Sequence, residues 1–428
     1  MYTELINTGS ELMLGRVLNS HQQWICRRLA DQGYTVTRQV AVSDEGVAIQ
    51  DAVREAMGRA DLIITTGGLG PTSDDLTRDL IAQLLGRTLK EDAGALANIE
   101  SFFASRNRPM PQSTRVQALV PEGAQVIPNR NGTAPGLAIP LPARPGSKHP
   151  QLLIMLPGPP RELHPMFQDQ AVPIIQRTFP LNDDYVCRTL RTAGLGESWV
   201  EEKIALPLKP WTDAGMDLGY CARTGEVDVR FVCRGNDAKA RVSSAETLCR
   251  ELLGHYVFGV DDDTLEGIIV QLLKERHQTV GLAESCTGGF VSNRLTNVPG
   301  ASEVFRGSVV SYHNQIKESA LGVPADILQN QGAVSEPCAQ RMAEGARRAL
   351  GVDYALSITG IAGPGGGTPE KPVGTVFIGL ASSTGTVVIQ NLNRFDRETF
   401  KFVTSQQALN LLRQAILGIR PRGPNSLR

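Results

Sequence analysis

Three side chains able to act as nucleophiles, Ser285, Cys286 and Thr287, stand in a row between Glu284 and the pair Gly288-Gly289. The run lies where a strand-like stretch gives way to a helical one. At such a turn the free backbone N–H groups and the helix dipole favour negative charge, so the turn suits a phosphate or an oxyanion while a hydroxyl attacks. The same residues would also serve as an ordinary helix cap. Downstream, Tyr312 closes a second strand-like stretch and Lys317 follows within a turn or two of helix. The C-terminal ends of parallel strands share one edge of a sheet, which would bring Tyr312 and Lys317 toward Ser285. A lysine buried there loses its proton readily, and its neutral amine can activate a serine without histidine or metal. A third strand end, Ser357 to Thr359, runs into the glycine loop that contains Gly360 and Gly363. Its spacing matches neither a Walker phosphate loop nor a Rossmann fingerprint.

A second set of residues with chemical potential lies near the start of the chain. Thr65-Thr66-Gly67-Gly68-Leu69-Gly70 leads into Ser73-Asp74-Asp75. Glycine amides can receive phosphates, and paired carboxylates bind a hard cation or simply favour the dipole of a helix that Ser73 would cap. Glu11 in Thr8-Gly9-Ser10-Glu11, Asn131, Gly132 and Thr133 in the stretch 129–134, and Gly158 in 156–160 are candidates for the same crevice, with Asp44 more loosely attached.

The elements that must position these groups follow from periodicity. Strand-like and helical stretches alternate from Tyr2 to Thr66 and again from Leu265 onward, which predicts sheets of parallel strands covered by helices. Between them, alternation over 226–232 followed by a polar helix over 237–253 predicts a small α+β module. With 428 residues and about 150 per domain, three domains are expected, at 1–178, 179–260 and 261–428. The fold class is therefore α/β, with two layered α/β domains and a small α+β link. The 43 basic residues balance the 44 acidic ones, so no global field draws in a polyanion or an acidic membrane. No apolar run approaches the ~20 residues of a bilayer span, and seven cysteines without a Cys-x-x-Cys pair read as reduced thiols. A cytoplasmic location is expected.

The stretches Ala283-Glu284-Ser285-Cys286-Thr287-Gly288-Gly289, Gly332-Ala333-Val334-Ser335-Glu336-Pro337 and Ile358-Thr359-Gly360-Ile361-Ala362-Gly363-Pro364 resemble the C-terminal domain of the competence/damage-inducible CinA family, over roughly 265–417. That resemblance implies hydrolysis of the amide of nicotinamide mononucleotide to nicotinic acid mononucleotide and ammonia, with no cofactor. It also implies Ser285 as nucleophile over its neighbours Cys286 and Thr287. Lys317 would be the base, amides near Gly288 and Gly289 would hold the oxyanion, Glu284, Thr359, Gly360 and Gly363 would contact the ligand, and Arg306 or Arg394 would pair with its phosphate. The stretch 1–178 is similar to the molybdopterin-binding fold as it occurs in that family. This implies an ADP-ribose pyrophosphatase that uses Mg²⁺, Co²⁺ or Mn²⁺ and K⁺ at Asp74, Asp75 and Glu11, or else a pterin-binding role.

The middle stretch occupies the place of a KH-like module in such proteins. Leu195-Gly196-Glu197-Ser198 is not the basic Gly-x-x-Gly loop that grips a nucleotide backbone, and acidic residues surround it, so nucleic acid is not an expected partner. A spacer or homodimer element is expected instead. A pterin-binding protein and a DNA-associated competence factor stand as the alternatives to a two-site nucleotide enzyme.

Overall fold

A computed structural model describes residues 1–419. By compactness the chain divides into two units, 1–187 with 234–238, and 188–233 with 239 onward. Space thus groups the three segments of the sequence differently, because most of the middle module packs with the C-terminal domain.

The first unit is built on a six-stranded sheet in the order Arg38–Val42, Thr3–Thr8, Leu62–Thr66, Gln151–Leu156, Gly136–Leu141, Gln125–Ile127. The first four strands are mutually parallel and the last two antiparallel. Both faces are covered, so the central strands are buried at every position. Leu62, Ile64, Leu152 and Ile154 point to one face, against Ile25 and Leu29 of helix Ser20–Asp31. Ile63, Leu153 and Met155 point to the other, against Val53, Ala56 and Ile81.

The second unit contains the sheet Phe305–Val310, Val280–Glu284, Tyr354–Gly360, Thr375–Ser382, Gly385–Leu392. Three parallel strands are followed by two antiparallel ones. One face packs on helices Leu265–Glu275 and Arg397–Ile416 through Ile269, Leu273, Phe400, Leu409 and Leu412. The other packs on Cys338, Met342 and Ala346 of helix Glu336–Leu350. Strands Asp217–Arg223, Glu226–Arg234, Tyr185–Ala193 and Val257–Val260 form the separate sheet of the middle module, in that order. Ala193 and Phe258 from this sheet join the core under the C-terminal one.

One expected element forms differently. Residues 71–76 are irregular and the helix begins at Thr77, with Leu76 at its cap position and no side-chain cap bond. Ser73 therefore caps nothing, and Asp74 and Asp75 precede the helix rather than filling its first turn. The reason is local: Asp75 accepts from the backbone N–H (3.0 Å) and the hydroxyl of Thr72, a bond set that closes a turn in competition with helix.

Candidate functional site

The turn after strand Val280–Glu284 is fastened at both ends. Ser285 N–H donates to Ile358 O (2.9 Å) on the neighbouring strand, and Gly288 N–H donates back to Ser285 O (3.1 Å). Gly288 and Gly289 adopt φ of +62° and +95°, a region costly for residues with a Cβ. The carboxylate of Glu284, wholly buried, accepts from the backbone N–H groups of Gly289 (3.0 Å), Val291 (3.1 Å) and Ser292 (2.8 Å) and from Ser292 Oγ (2.5 Å). It thus caps helix Phe290–Thr296 from inside the sheet. The expected ligand contact from Glu284 is corrected on this ground, since its oxygens are already occupied. The expected oxyanion donors change for the same reason. Gly288 and Gly289 spend their N–H groups within the turn, while those of Cys286 and Thr287 have no acceptor among the described residues.

Lys317 reaches this turn from helix Asn314–Leu321. Gly345 lets that helix lie against Glu336–Leu350, since a Cβ at 345 would stand 1.9 Å from Leu321 O. Lys317 Nζ stands 3.1 Å from Ser285 Oγ and 2.6 Å from Ser311 O. The side chain is 1% exposed. No carboxylate is bonded to it among the described residues. Burial without a counter-charge pushes its pKa below the ordinary lysine value.

The neighbouring candidates separate clearly. Cys286 is part of the apolar core, and burial pushes its thiol up to about 12, so it carries no thiolate at neutral pH. Thr287 is wholly buried and its hydroxyl has no hydrogen-bond partner among the described residues. Tyr312 falls beyond the strand, is 62% exposed, and its hydroxyl accepts from Arg397 (2.8 Å) rather than meeting Ser285. Thr359 donates its hydroxyl to Ala333 O (2.7 Å), tying together two of the motifs that the sequence singled out. The Gly363 carbonyl accepts from Arg397 (2.8 Å), and Gly360 packs against Thr375 and Val376.

Arg397, which sequence reasoning missed, is the arginine nearest this turn by its bonds: it holds the Gly363 loop and Tyr312, and its charge acts on the Cys286 thiol. Arg306 lies on a separate surface depression with Thr296 and Gly300, and Arg394 is exposed with no bonding partner among the described residues. A signal was present, because Arg397 opens the last amphipathic helix behind a capping Asp396.

In the first unit the glycine turn and the loops at the C-terminal edge of the parallel strands enclose a cavity of about 400 Å³. Thr8, Glu11, Asp44, Gly67, Gly68, Gly70, Asp74, Asp75, Thr133 and Gly158 line it. Ser73 and Asn131 do not. The amide group of Asn131 instead donates to Arg161 O (2.8 Å). Gly132 packs against Glu162, a buried lining residue that sequence reasoning missed. Asn129 donates to Glu162 (2.8 Å), yet burial dominates and raises the carboxyl above the ordinary glutamate value. Among the described residues no three carboxylate, histidine or cysteine groups come close enough to hold a metal ion together. Glu11, Asp74 and Asp75 thus share a cavity without forming a ligand set, and Asp75 is already engaged by Thr72.

Family models match the chain in three consecutive stretches: the probable molybdopterin binding domain over 4–177, the KH domain of damage-inducible protein CinA over 187–259, and the CinA C-terminal domain over 262–416. A protein of Caldicellulosiruptor bescii named for competence-damage induction is 43% identical over 420 residues, 97% of this chain and 100% of its own length. The chain belongs to the CinA family. A CinA-like protein of Akkermansia muciniphila is 42% identical over 409 residues, 95% of each chain. The solved competence/damage inducible protein from Agrobacterium tumefaciens is 36% identical and covers 36% of this chain and 93% of its own, with a TM-score of 0.34. Among the described residues of this CinA chain no helix is long and apolar enough to cross a membrane.

Proposed function

We propose that the C-terminal site hydrolyses the carboxamide of nicotinamide mononucleotide to nicotinic acid mononucleotide and ammonia, in the cytoplasm. One observation carries this reading: a buried lysine amine with no carboxylate bonded to it among the described residues, 3.1 Å from a serine hydroxyl at a glycine turn. The neutral amine of Lys317 takes the proton of Ser285 Oγ, whose lone pair then forms the bond to the carboxamide carbon. The N–H groups of Cys286 and Thr287, the unspent donors of the turn, are the groups available to the oxyanion. As the tetrahedral centre collapses, the C–N bond breaks and Lys317 returns its proton to nitrogen, which leaves as ammonia. Water, deprotonated by the same amine, attacks the acyl-serine; the C–Oγ bond breaks, Lys317 returns the proton to Ser285 Oγ, and the carboxylic acid leaves, ionising in solvent. Arg397, exposed and bonded to the Gly363 loop, is assigned to the phosphate.

Ammonia release from nicotinamide mononucleotide tests this. Activity that vanishes in Ser285→Ala and Lys317→Met supports the reading, and full activity in either removes it.

The glycine-lined cavity of the first unit favours a second reading beside the first, a ligand with adjacent phosphates such as ADP-ribose. The carboxylates present do not make a metal site by themselves, so no hydrolytic step is assigned to an ion there. Cleavage of ADP-ribose with Mg²⁺, Co²⁺ or Mn²⁺ and K⁺ supplied separates turnover from binding alone.

A further inference from the structure

At the start of the helix that follows the Ser285 turn lies a cavity of about 690 Å³ whose walls come from two modules. Phe290, the residue after Gly289, and Phe402 supply aromatic faces, with ring centroids 6.3 Å apart. Arg397 and Lys401, one helical turn apart on helix Arg397–Ile416, supply two positive charges, and Lys401 Nζ lies 5.9 Å from the centre of the Phe290 ring. Arg397 borders this cavity, donates to Tyr312 and to the Gly363 carbonyl, and lies near enough to Cys286, the residue after Ser285, for its charge to act on that thiol. Glu398 and Thr399 of the same helix complete that side, so one carboxylate stands beside the two cations, and the facing wall is Thr224, which belongs to the middle module.

Thr224 sits at the tip of a tight hairpin, in which Arg223 pairs with Glu226 across Thr224-Gly225. An exposed tip of this kind is ordinarily mobile, but this one is bolted to the helix that carries the cations. Glu226 accepts from Gln406 of that helix (2.6 Å) and from Arg191 (2.7 Å), and Arg191 also pairs with Asp228 (2.9 Å), which Arg223 approaches to 2.5 Å. Glu226, Asp228, Arg191 and Gln406 are all buried. Buried charges are expensive unless each finds partners, and a network that does so fixes one geometry. Gly225 approaches so closely that a Cβ there would stand 3.3 Å from Gln406.

We propose that the middle-module hairpin is the outer wall of the amidase substrate cavity, and that this cavity receives the phosphate-bearing end of the substrate. The inference rests on the amidase reading above and extends it, giving the middle module a substrate-selecting role in place of a spacer's. Two cations against the single carboxylate of Glu398, above an apolar floor, leave a net positive site that suits a phosphorylated ribose, and Thr224 lines its opposite side.

The test uses the full chain in a Ser285→Ala background, so that no turnover intervenes, with and without Thr224→Glu. Position 224 is an exposed turn, and an unchanged melting temperature confirms that the second substitution leaves the fold intact. Calorimetric titration with nicotinamide mononucleotide and, separately, with nicotinamide riboside reads the two affinities. The expected result is at least a tenfold weaker Kd for the phosphorylated ligand and an unchanged Kd for the riboside, because the new carboxylate repels only the phosphate. Equal Kd values in the two proteins, equal weakening for both ligands, or no binding of the mononucleotide overturns the proposal. Ammonia release by the unsubstituted chain is measured separately. Its absence removes the amidase reading, whereas the binding ratio alone decides the role of the hairpin.

Discussion

Lys317 Nζ lies 3.1 Å from Ser285 Oγ, across 32 positions of sequence and two parallel strands, in a pocket where the amine meets no acid. The amine donates to the Ser311 carbonyl, which leaves its lone pair for the serine proton once the amine is neutral. Both substitutions, Ser285→Ala and Lys317→Met, are expected to lower kcat for ammonia release by about 10³-fold or more, since the two groups act as a unit.

The depressed pKa of Lys317 sets the pH dependence. On the proposed mechanism the reacting form is the neutral amine, so kcat/KM is expected to fall as pH drops through the folded-state value and to level off above it. Stability follows the same sign. The unfolded chain holds the lysine proton to higher pH than the folded chain does, so that contribution to stability rises with pH between the two values and is absent below the lower one. Lys317→Met removes the burial penalty, and its melting temperature at pH 7 should equal or exceed that of the parent while activity is lost. A thermal scan paired with a rate profile from pH 5 to 10 checks both, and an acid limb that survives in active conservative variants elsewhere in the site locates it at Lys317.

Cys286 should be dispensable for chemistry. Its thiol is buried and pushed up to about 12, so Cys286→Ala is expected to keep activity within about threefold while costing about 1 kcal/mol from the small void left behind. Iodoacetamide at pH 7.5 should leave the amidase active, and rapid inactivation traced to Cys286 would contradict this.

Glu284→Gln should act through structure. The amide keeps the size but loses an acceptor against three N–H groups and a hydroxyl, and it brings donors of its own against donors. A loss of about 2–3 kcal/mol by denaturant titration is expected, with weaker activity because the turn that carries Ser285 loosens.

The two sites should respond to separate perturbations. At Gly68 φ is +66° and a Cβ would stand 2.0 Å from Thr77 Oγ1, and at Gly132 it would stand 2.1 Å from Glu162. Gly68→Ala and Gly132→Ala are expected to weaken ADP-ribose binding at least tenfold and to leave ammonia release unchanged. EDTA should likewise leave ammonia release unchanged if, as proposed, Ser285 and Lys317 carry the proton transfers without an ion. A loss of amidase activity on chelation, restored by Mg²⁺ or Mn²⁺, would place an ion in that reaction.

Most of the layered architecture was legible in the sequence, because periodicity is a local property. The polar helix expected over 237–253 forms as Ala238–Leu253, and the alternation over 226–232 forms the strand Glu226–Arg234. The strand before Ser285 and the glycines after Thr287 likewise mark a turn by themselves. What the pattern could not carry was competition between bonding partners. Ser73 lost its cap because Asp75 and Thr72 close a turn first. Glu284 became a cap, and the Gly288 and Gly289 amides were used up, because the sheet and helix were already there to share them. Arg397 displaced Arg306 and Arg394, and Thr224 came to wall a cavity more than sixty residues away in the chain. Sequence alone determined which groups are able to react and which stretches form strands or helices, since both follow from side-chain type and spacing. Only the tertiary structure decided which donors remain unspent and which charges meet, because burial and distance belong to the packed chain and to no segment of it.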